Sequence, residues 1–421
     1  MPTDWQAIDN RILDPDWYTD LGYHDTFRLL RDEDPVHLVE SEGYGRPFWA
    51  LTRYDDVKAC LADSTTFSNR LGGGRIPRTA QRLTPETRHA LGFDANVIYL
   101  DPPLHAVYRR PVNKHFSVPA VGKLRADIAS YVDGIIAGVA DRPDFDFVDE
   151  VATELPVQVI CRMLGVPEED WAHIRLAASR TSLSADPRFM IGGDPMATYK
   201  VGFGDLVAYA GELAQARREA PRHDFTSTLA RLRLDGDVLS LHEMRTWIQI
   251  FLQAGFETTR NAIGVGVWQL LLHPEQAAAV RDEVPGAVDG AIEEILRWST
   301  PSRNLVRVAT ADVELGGKLI RSGDWVAPFL VSANRDERPF DEPPRFDITR
   351  SPNEHLGLGE GVHKCLGRHL LRLELSILLP ALLRGLPDLH VADEPVWVRD
   401  TSSNGFLSMP VRHGVKVGVP A

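Results

Sequence analysis

The residue best placed to do chemistry is Cys365, which closes a glycine-rich loop just before a predicted helix. Gly357, Gly359 and Gly361 allow backbone conformations closed to other residues, so the loop can fold tightly and approach a flat ligand. A sulfur at a helix start faces backbone amides and the positive dipole end, which should lower its pKa and favour thiolate. His363 adds positive charge nearby. The segment therefore predicts a strongly electron-donating metal ligand, of the kind that a haem iron takes from cysteine.

The other two cysteines, Cys60 and Cys161, lie in apolar helical patterns and are predicted to be free and buried. Three scattered cysteines are too few for a disulfide framework or a structural zinc site. One alternative remains for the loop, a compact zinc or non-haem metal cluster, as in a metal hydrolase. Its ligands would be Glu360, His363, Cys365 and His369.

A second group with chemical potential lies in the run AGFETT at 254–259. Ala254 and Gly255 are small enough to let a flat cofactor approach, and Thr258 can bond the carbonyl of Ala254. Glu257 is an acid in an otherwise apolar helix, which is costly unless it is paired, hydrated or functional. An acid beside a hydroxyl can deliver protons to a reacting oxygen.

The cysteine segment resembles the haem-binding signature of the cytochrome P450 family. Gly361, His363, Cys365 and Gly367 match its fixed spacing, while Leu358 replaces the family's Phe beside the thiolate. The resemblance implies haem b held by Cys365 as the iron ligand, with Leu358, Gly359 and Gly367 among the haem contacts. It also implies the family fold, which is mainly α with a smaller β part, a triangular helical domain with a long central helix over the haem.

Three further matches follow from the same resemblance. Glu257 and Thr258 stand as the acid–alcohol pair of oxygen-dependent members, with Ala254 and Gly255 against the haem. The resemblance also implies a structural lock and a set of ligands for the haem propionates. The lock is Glu294, Arg297 and, from PPRF, Arg345; the propionate ligands are His105, Arg109, Arg307 and His363, with Leu104 replacing the family's common acid.

The sequence pattern also predicts the helices and strands that must position these residues. Strands are expected at about 36–52, 305–331 and 389–415, helices at about 104–298 and 366–385, and an irregular stretch at 70–97, all in a single domain over 1–421. Ser240 and Glu243 form a capping box that starts the longest helix. That helix should run through Leu272 before Pro274, about 32 residues and about 48 Å.

Composition excludes several classes of protein. A net charge of -13 over 421 residues argues against binding nucleic acid or anionic lipid. The longest apolar run is broken by polar residues and is not a membrane span. We therefore expect a soluble, cytoplasmic protein, and the resemblance implies a bacterial-type member of the family that is a monomer.

The function implied is a monooxygenase that inserts one atom of O2 into a hydrophobic substrate, terpenoid, steroid-like or aromatic. Electrons would come from NAD(P)H through a ferredoxin reductase and a ferredoxin. Substrate contacts are predicted at Ile250, Gln253, Phe256, Leu305, Val306 and Phe406, under mobile segments at 71–97 and 186–199. The acidic ferredoxin would dock near Arg109, Arg110, Lys114, Lys364, Arg368 and Arg372. Two alternatives stay open: a haem protein that senses ligands without turnover, and a carboxylate-bearing substrate bound by Arg75, Arg78 or Arg303.

Overall fold

The computed structural model describes residues 3–41, 46–72, 84–234 and 236–414. The chain is mainly helical, as the pattern predicts. The helices of the described residues are α1 Trp5–Ile12, α2 Tyr23–Glu33, α3 Tyr54–Ala62, α4 Asn69–Gly72, α5 Pro85–Ala90, α6 Leu104–Asn113, α7 Val118–Val121, α8 Arg125–Ala140, α9 Glu154–Leu164, α10 Trp171–Ser182, α11 Pro195–Glu219, α12 Phe225–Arg231, α13 Leu241–Leu272, α14 Pro274–Arg281, α15 Ala287–Ser299, α16 Leu330–Ala333 and α17 Arg368–Gly385.

The strands form a smaller β part, again as predicted. They are β1 Val36–Val39, β2 Phe48–Leu51, β3 Phe67–Ser68, β4 Asp144–Asp146, β5 Arg233–Leu234, β6 Asp237–Val238, β7 Arg307–Ala309, β8 Val313–Leu315, β9 Lys318–Ile320, β10 Trp325–Pro328, β11 His390–Val391, β12 Val396–Trp397, β13 Phe406–Ser408 and β14 Pro410–Arg412. The main sheet has the order β1-β2-β10-β7-β3. It joins the N-terminal hairpin to the 305–331 strands, with β2 and β10 parallel and the other pairs antiparallel. A second sheet, β11-β14-β4, ties the tail to the helical part.

The 32-residue helix α13 organises the helical part, and its predicted capping box is present. The Ser240 side chain accepts from the amide of Glu243, and the Glu243 carboxylate accepts from the amide of Ser240. α13 packs against α9, α11 and α15. Between residues 246 and 267, every residue is buried except Gln253, Ala254, Gly255 and Thr258. α13 is therefore buried along this stretch except for one accessible patch midway, at the AGFETT run, which we call the opening. This opening marks the candidate site.

Some local predictions were wrong. Residues 85–90 form helix α5 inside the stretch expected to be irregular, and β4 interrupts the helices between 104 and 298. Pro156, taken as a break, lies in the first turn of α9, where its missing N–H has no helical partner to lose. Pro111 lies in the last turn of α6, which ends two residues later.

In the described ranges, we find no helix that combines the length and the apolar character needed to cross a bilayer.

Candidate active site

The cysteine loop folds back on itself before α17. The amide of Cys365 donates to the carbonyl of Leu358 at 2.8 Å, and the amide of Gly359 donates to that of Leu356 at 2.8 Å. Gly359 and Gly361 have φ of +71° and +68°, a left-handed region that favours glycine. A Cβ on Gly361 would also lie 2.8 Å from the carbonyl oxygen of Leu61 in α3. The glycines therefore serve the tight fold that was expected of them.

The sulfur of Cys365 does not have the lowered pKa that its position at a helix start suggested. Burial raises the pKa of the Cys365 thiol, although the Gly367 amide, Arg109, Arg368 and Arg372 act in the opposite direction. Burial thus opposes formation of the thiolate, and a bound cation would favour it. Burial also raises the pKa of Cys60 and of Cys161, each to about 12, which agrees with their reading as inert buried thiols.

Four cationic or titratable side chains from three parts of the chain meet near the loop. His105 and Arg109 come from α6, His363 from the loop and Arg307 from β7. The imidazole rings of His105 and His363 lie 4.3 Å apart between centroids. Arg109 donates to the carbonyl of Lys364 at 2.6 Å and to Asn113 at 2.7 Å. The predicted propionate ligands are therefore brought together, although they are distant in sequence.

The positive charge of this group lies on Arg109 and Arg307, and the one carboxylate that acts on it is Asp101, which raises the pKa of His105 and of Arg307. Burial lowers the pKa of His105 to about 4 and that of His363 to about 3, and neighbouring cations lower both further. Burial also lowers the pKa of Arg109 and Arg307. The Nε2 atoms of His105 and His363 are buried without a hydrogen-bond partner. Buried donors left unpaired are costly, so the arrangement is suited to an anionic ligand such as a pair of carboxylates.

The opening in α13 carries the predicted acid and alcohol. The Thr258 hydroxyl donates to the carbonyl of Ala254 at 3.0 Å, as expected. Glu257 is buried, at 6 % exposure, and accepts a hydrogen bond from the hydroxyl of Ser403. Ala254 is exposed at the opening. Gly255 instead faces α9, where a Cβ would lie 2.7 Å from the Ile160 side chain, so its size serves helix packing.

The predicted lock is present, but its third member is different. Arg297 donates to both oxygens of Glu294, at 2.8 and 2.7 Å, and both side chains are fully buried. The Arg345 side chain points to Glu342, and only its backbone carbonyl contacts Arg297. Arg350 takes the position expected of Arg345, with its Nε 3.3 Å from Glu294. Sequence reasoning chose Arg345 from the PPRF motif, whereas the turn before Arg350 decides which guanidinium reaches the carboxylate.

The predicted substrate contacts divide into two groups. Gln253 and Leu305 are partly exposed, and Ile250 lies one turn before Ala254 on α13. The other three are core residues: Phe256, Val306 and Phe406 are 2 %, 1 % and 1 % exposed. Phe406 packs between Trp268 and Trp397, with centroids 5.4 and 4.4 Å away. A direct contact of these three with substrate is at odds with this packing.

Three of the six predicted docking cations are buried or already paired with a carboxylate. Arg109 is buried, and Arg372 makes a bidentate ion pair with Glu293 at 2.6 and 2.8 Å. Lys364 pairs with Glu360 at 3.2 Å. Arg110 and Lys114 are exposed, and Arg368 is half-buried with its Nη1 on the carbonyl of Cys365.

Two alternatives lose support. Within the described ranges, one set of three His, Cys, Asp or Glu ligand atoms converges, that of His89, Asp94 and His242, and it excludes the cysteine loop. Arg303 is fully buried and donates to backbone carbonyls of Asp400, Ser403 and Tyr18, so it cannot receive a carboxylate. Arg75, Arg78 and the part of the predicted cover at 73–83 lie outside the described residues.

The chain is similar to known proteins over nearly its whole length. A profile described as cytochrome P450 matches residues 206–417. A methyl-branched lipid omega-hydroxylase of Mycobacterium tuberculosis is 34% identical over 97% of this chain and 92% of its own. A vitamin D(3) 25-hydroxylase of Pseudonocardia autotrophica is 34% identical over 93% and 94%. A Mycobacterium marinum cytochrome P450, solved in complex with pseudoionone, superposes with a TM-score of 0.84 at 33% identity, covering 93% of this chain and 94% of the other.

The fold and the site define a haem-thiolate oxidoreductase. The chain belongs to the cytochrome P450 family, whose members are monooxygenases that use haem and O2. The residues present fit the cofactor, because the unpaired Nε2 atoms of His105 and His363 and the buried Arg109 and Arg307 match two carboxylates. Cys365 would supply the sulfur ligand to the iron, and Ala254 is small and exposed at the opening in α13.

Proposed function

We propose that this enzyme uses electrons from NAD(P)H, passed through a ferredoxin reductase and a ferredoxin, to hydroxylate an extended hydrophobic substrate. The substrate class is a methyl-branched terpenoid, a steroid-like compound or an aromatic compound. The observation that carries the proposal is the single opening in the buried stretch of α13. Ala254 and Thr258 are accessible at this opening, whereas the residues on either side of it along the helix are buried.

The protein residues have separable roles in this reaction. Cys365 supplies the iron ligand, while His105, Arg109, Arg307 and His363 hold the propionates. Bound haem supplies the activation of O2. Glu257 holds and releases a proton, and Thr258 keeps its hydroxyl oxygen available as an acceptor because its own proton goes to Ala254.

The proposed substrate class rests on the lining and on the relatives. Ile250, one turn before Ala254, is apolar but buried, Leu305 is apolar and partly exposed just before β7, and Gln253 adds one partly exposed amide to the opening. Sites of this kind bind hydrophobic molecules and use a few polar groups to orient them. The relatives named above act on a methyl-branched lipid and on vitamin D(3), and the solved structure holds pseudoionone. The loss of Arg303 as an anion ligand also disfavours a carboxylate-bearing substrate.

A spectral titration tests the substrate class. We expect pseudoionone, vitamin D3 and phytol to shift the haem-loaded enzyme towards high spin, because each would displace water from an apolar site. With a surrogate ferredoxin and its reductase, the bound compounds should gain one oxygen atom by mass spectrometry. A response to benzoate alone among these compounds would contradict the proposal.

We propose further that the ferredoxin docks on the surface of α6 and the segment after it. Arg110 and Lys114 are exposed there, next to the helix that carries Arg109. On a protein of net charge -13, a local cationic surface attracts an acidic partner and sets its orientation.

Reversing these charges tests the docking surface. In the Arg110→Glu/Lys114→Glu variant, we expect electron transfer from an acidic plant-type ferredoxin to slow about tenfold at low salt. The difference from wild type should shrink as ionic strength rises, because salt screens exposed charges. The matched control, Arg28→Glu/Lys200→Glu, makes the same charge change on exposed residues of α2 and α11 and should leave the rate near wild type. Equal rates in both variants would contradict the docking surface.

A further inference from the structure

Behind the acid of the AGFETT run lies a chain of buried hydrogen bonds. The guanidinium of Arg260 donates to Oδ1 of Asn261 through Nε at 3.2 Å and Nη2 at 2.8 Å. Asn261 Nδ2 donates to the Ser403 hydroxyl oxygen at 3.1 Å, and that hydroxyl donates to Glu257 Oε1. All four residues are buried, and Ser403 is 146 residues from Glu257 in sequence.

The hydrogen bonds of this series all run in one direction, from Arg260 to Glu257. Arg260 has donors only, so the amide of Asn261 must turn its oxygen to Arg260 and its nitrogen to Ser403. Because Ser403 accepts from that nitrogen, its single proton goes to Glu257. When Glu257 is ionised, its Oε1 therefore accepts from Ser403, which holds that oxygen in place.

The turn that presents Ser403 is held firmly. The amides of Ser402 and Ser403 both donate to Oδ1 of Asp400 at 2.7 Å. The buried guanidinium of Arg303 donates to the carbonyls of Asp400 and Ser403. A Cβ at Gly405 would lie 2.3 Å from the Asn261 side chain, so glycine is what allows Asn261 to lie against this turn. The hydroxyl of Ser403 thus meets Glu257 at a fixed place.

We propose that Ser403 is a positioning residue for Glu257: its hydrogen bond to Oε1 holds the carboxyl group in the orientation in which it takes up and releases a proton. The proposal rests on the proposed function. In each transfer the proton leaves the Glu257 carboxyl group for oxygen derived from O2, and a proton from water restores it. Ser403 and Asn261 keep their own protons throughout, and the electrons come from NAD(P)H.

The test compares Ser403→Ala with Ser403→Thr in haem-loaded enzyme. Oxygen consumption and peroxide are measured with a surrogate ferredoxin, both with cholest-4-en-3-one as probe and without added substrate. Without substrate, O2 becomes peroxide with two electrons and two protons, or water with four of each, so this arm always gives a reading. For Ser403→Ala we expect the fraction of consumed O2 that is reduced to water to fall about tenfold. This is the size of effect expected from the loss of one hydrogen bond to a charged group. The solvent isotope effect on turnover should rise, and Ser403→Thr, which keeps the hydroxyl, should restore both.

Ser402→Ala is the matched control, because it removes a neighbouring hydroxyl whose one described side-chain contact is a long 3.4 Å bond to Asn304. It should keep the wild-type peroxide yield and isotope effect. Wild-type values in Ser403→Ala, or equal changes in Ser402→Ala, would overturn the proposal. A wild-type protein without the thiolate-type spectrum would instead reject the proposed function, so the two failures are distinguishable.

Discussion

Replacing Cys365 with serine is expected to abolish the thiolate-type spectrum of the reduced, CO-bound enzyme and to lower turnover at least about a hundredfold. Even residues behind a metal ligand are worth roughly 10–100-fold in metal affinity or activity, so the ligand itself should be worth more. A serine oxygen is also a poor substitute for a sulfur that donates electron density to the iron. Turnover is measured with a surrogate ferredoxin, and haem content is measured in the same sample.

Cys161→Ala is the control for this prediction. Cys161 is a fully buried thiol of α9, and burial raises its pKa to about 12, so it behaves as a small apolar side chain. The variant should keep the thiolate-type band and most of the activity. Retention of that band in Cys365→Ser, or its loss in Cys161→Ala, would show that the sulfur ligand has been misassigned.

The second large effect is expected from Arg297→Met. This substitution leaves the fully buried carboxylate of Glu294 without the bidentate partner that neutralises it. Removing one member of a buried ion pair costs about 3–5 kcal/mol. We therefore expect a much lower unfolding midpoint in urea and a low yield of haem-loaded protein, because the pair fixes the chain that leads into the cysteine loop.

Arg345→Met tests whether Arg345, as the PPRF motif predicts, or Arg350, as the structure shows, is the third member of the lock. The Arg345 side chain is 62% exposed and pairs only with Glu342 among the described contacts. Its removal should change stability by no more than about 0.5 kcal/mol. Arg350→Met should destabilise more than Arg345→Met, because Arg350 contacts Glu294 directly. Equal losses in Arg345→Met and Arg297→Met would contradict the assignment of the lock.

The parts of the fold that were predictable are those with local signals. The capping box of Ser240 and Glu243, followed by apolar residues at helical spacing, marked the start of α13 and its length. The glycines before Cys365 marked the tight loop, and two of them have positive φ. In both cases neighbouring residues determine the conformation, so the sequence is sufficient.

The parts that were not predictable depend on contacts between distant segments. Arg350 replaces Arg345 because a turn redirects the chain, which no residue spacing in the motif reveals. Phe406 was assigned to the pocket by position, but the aromatic side chains of Trp268 and Trp397 hold it in the core. The role of Ser403 was missed because nothing near it in sequence is unusual. A polar run of two serines and an asparagine before Gly405 was the one available signal.

The pKa of Cys365 was also predicted with the wrong sign. The amides at the start of α17 and three arginines do favour the thiolate, but burial of the sulfur outweighs them. Exposure of a side chain cannot be read from the loop sequence alone. Burial therefore opposes ionisation of the Cys365 thiol, and a bound iron would act in the opposite direction.

The most direct test of the central claim is the spectrum of the purified, haem-loaded protein after reduction and addition of CO. Ligation by the Cys365 thiolate predicts a Soret band at the long wavelength typical of thiolate-bound haem. A band at the shorter wavelength of histidine-bound haem, or a folded protein that takes up no haem, would contradict the account.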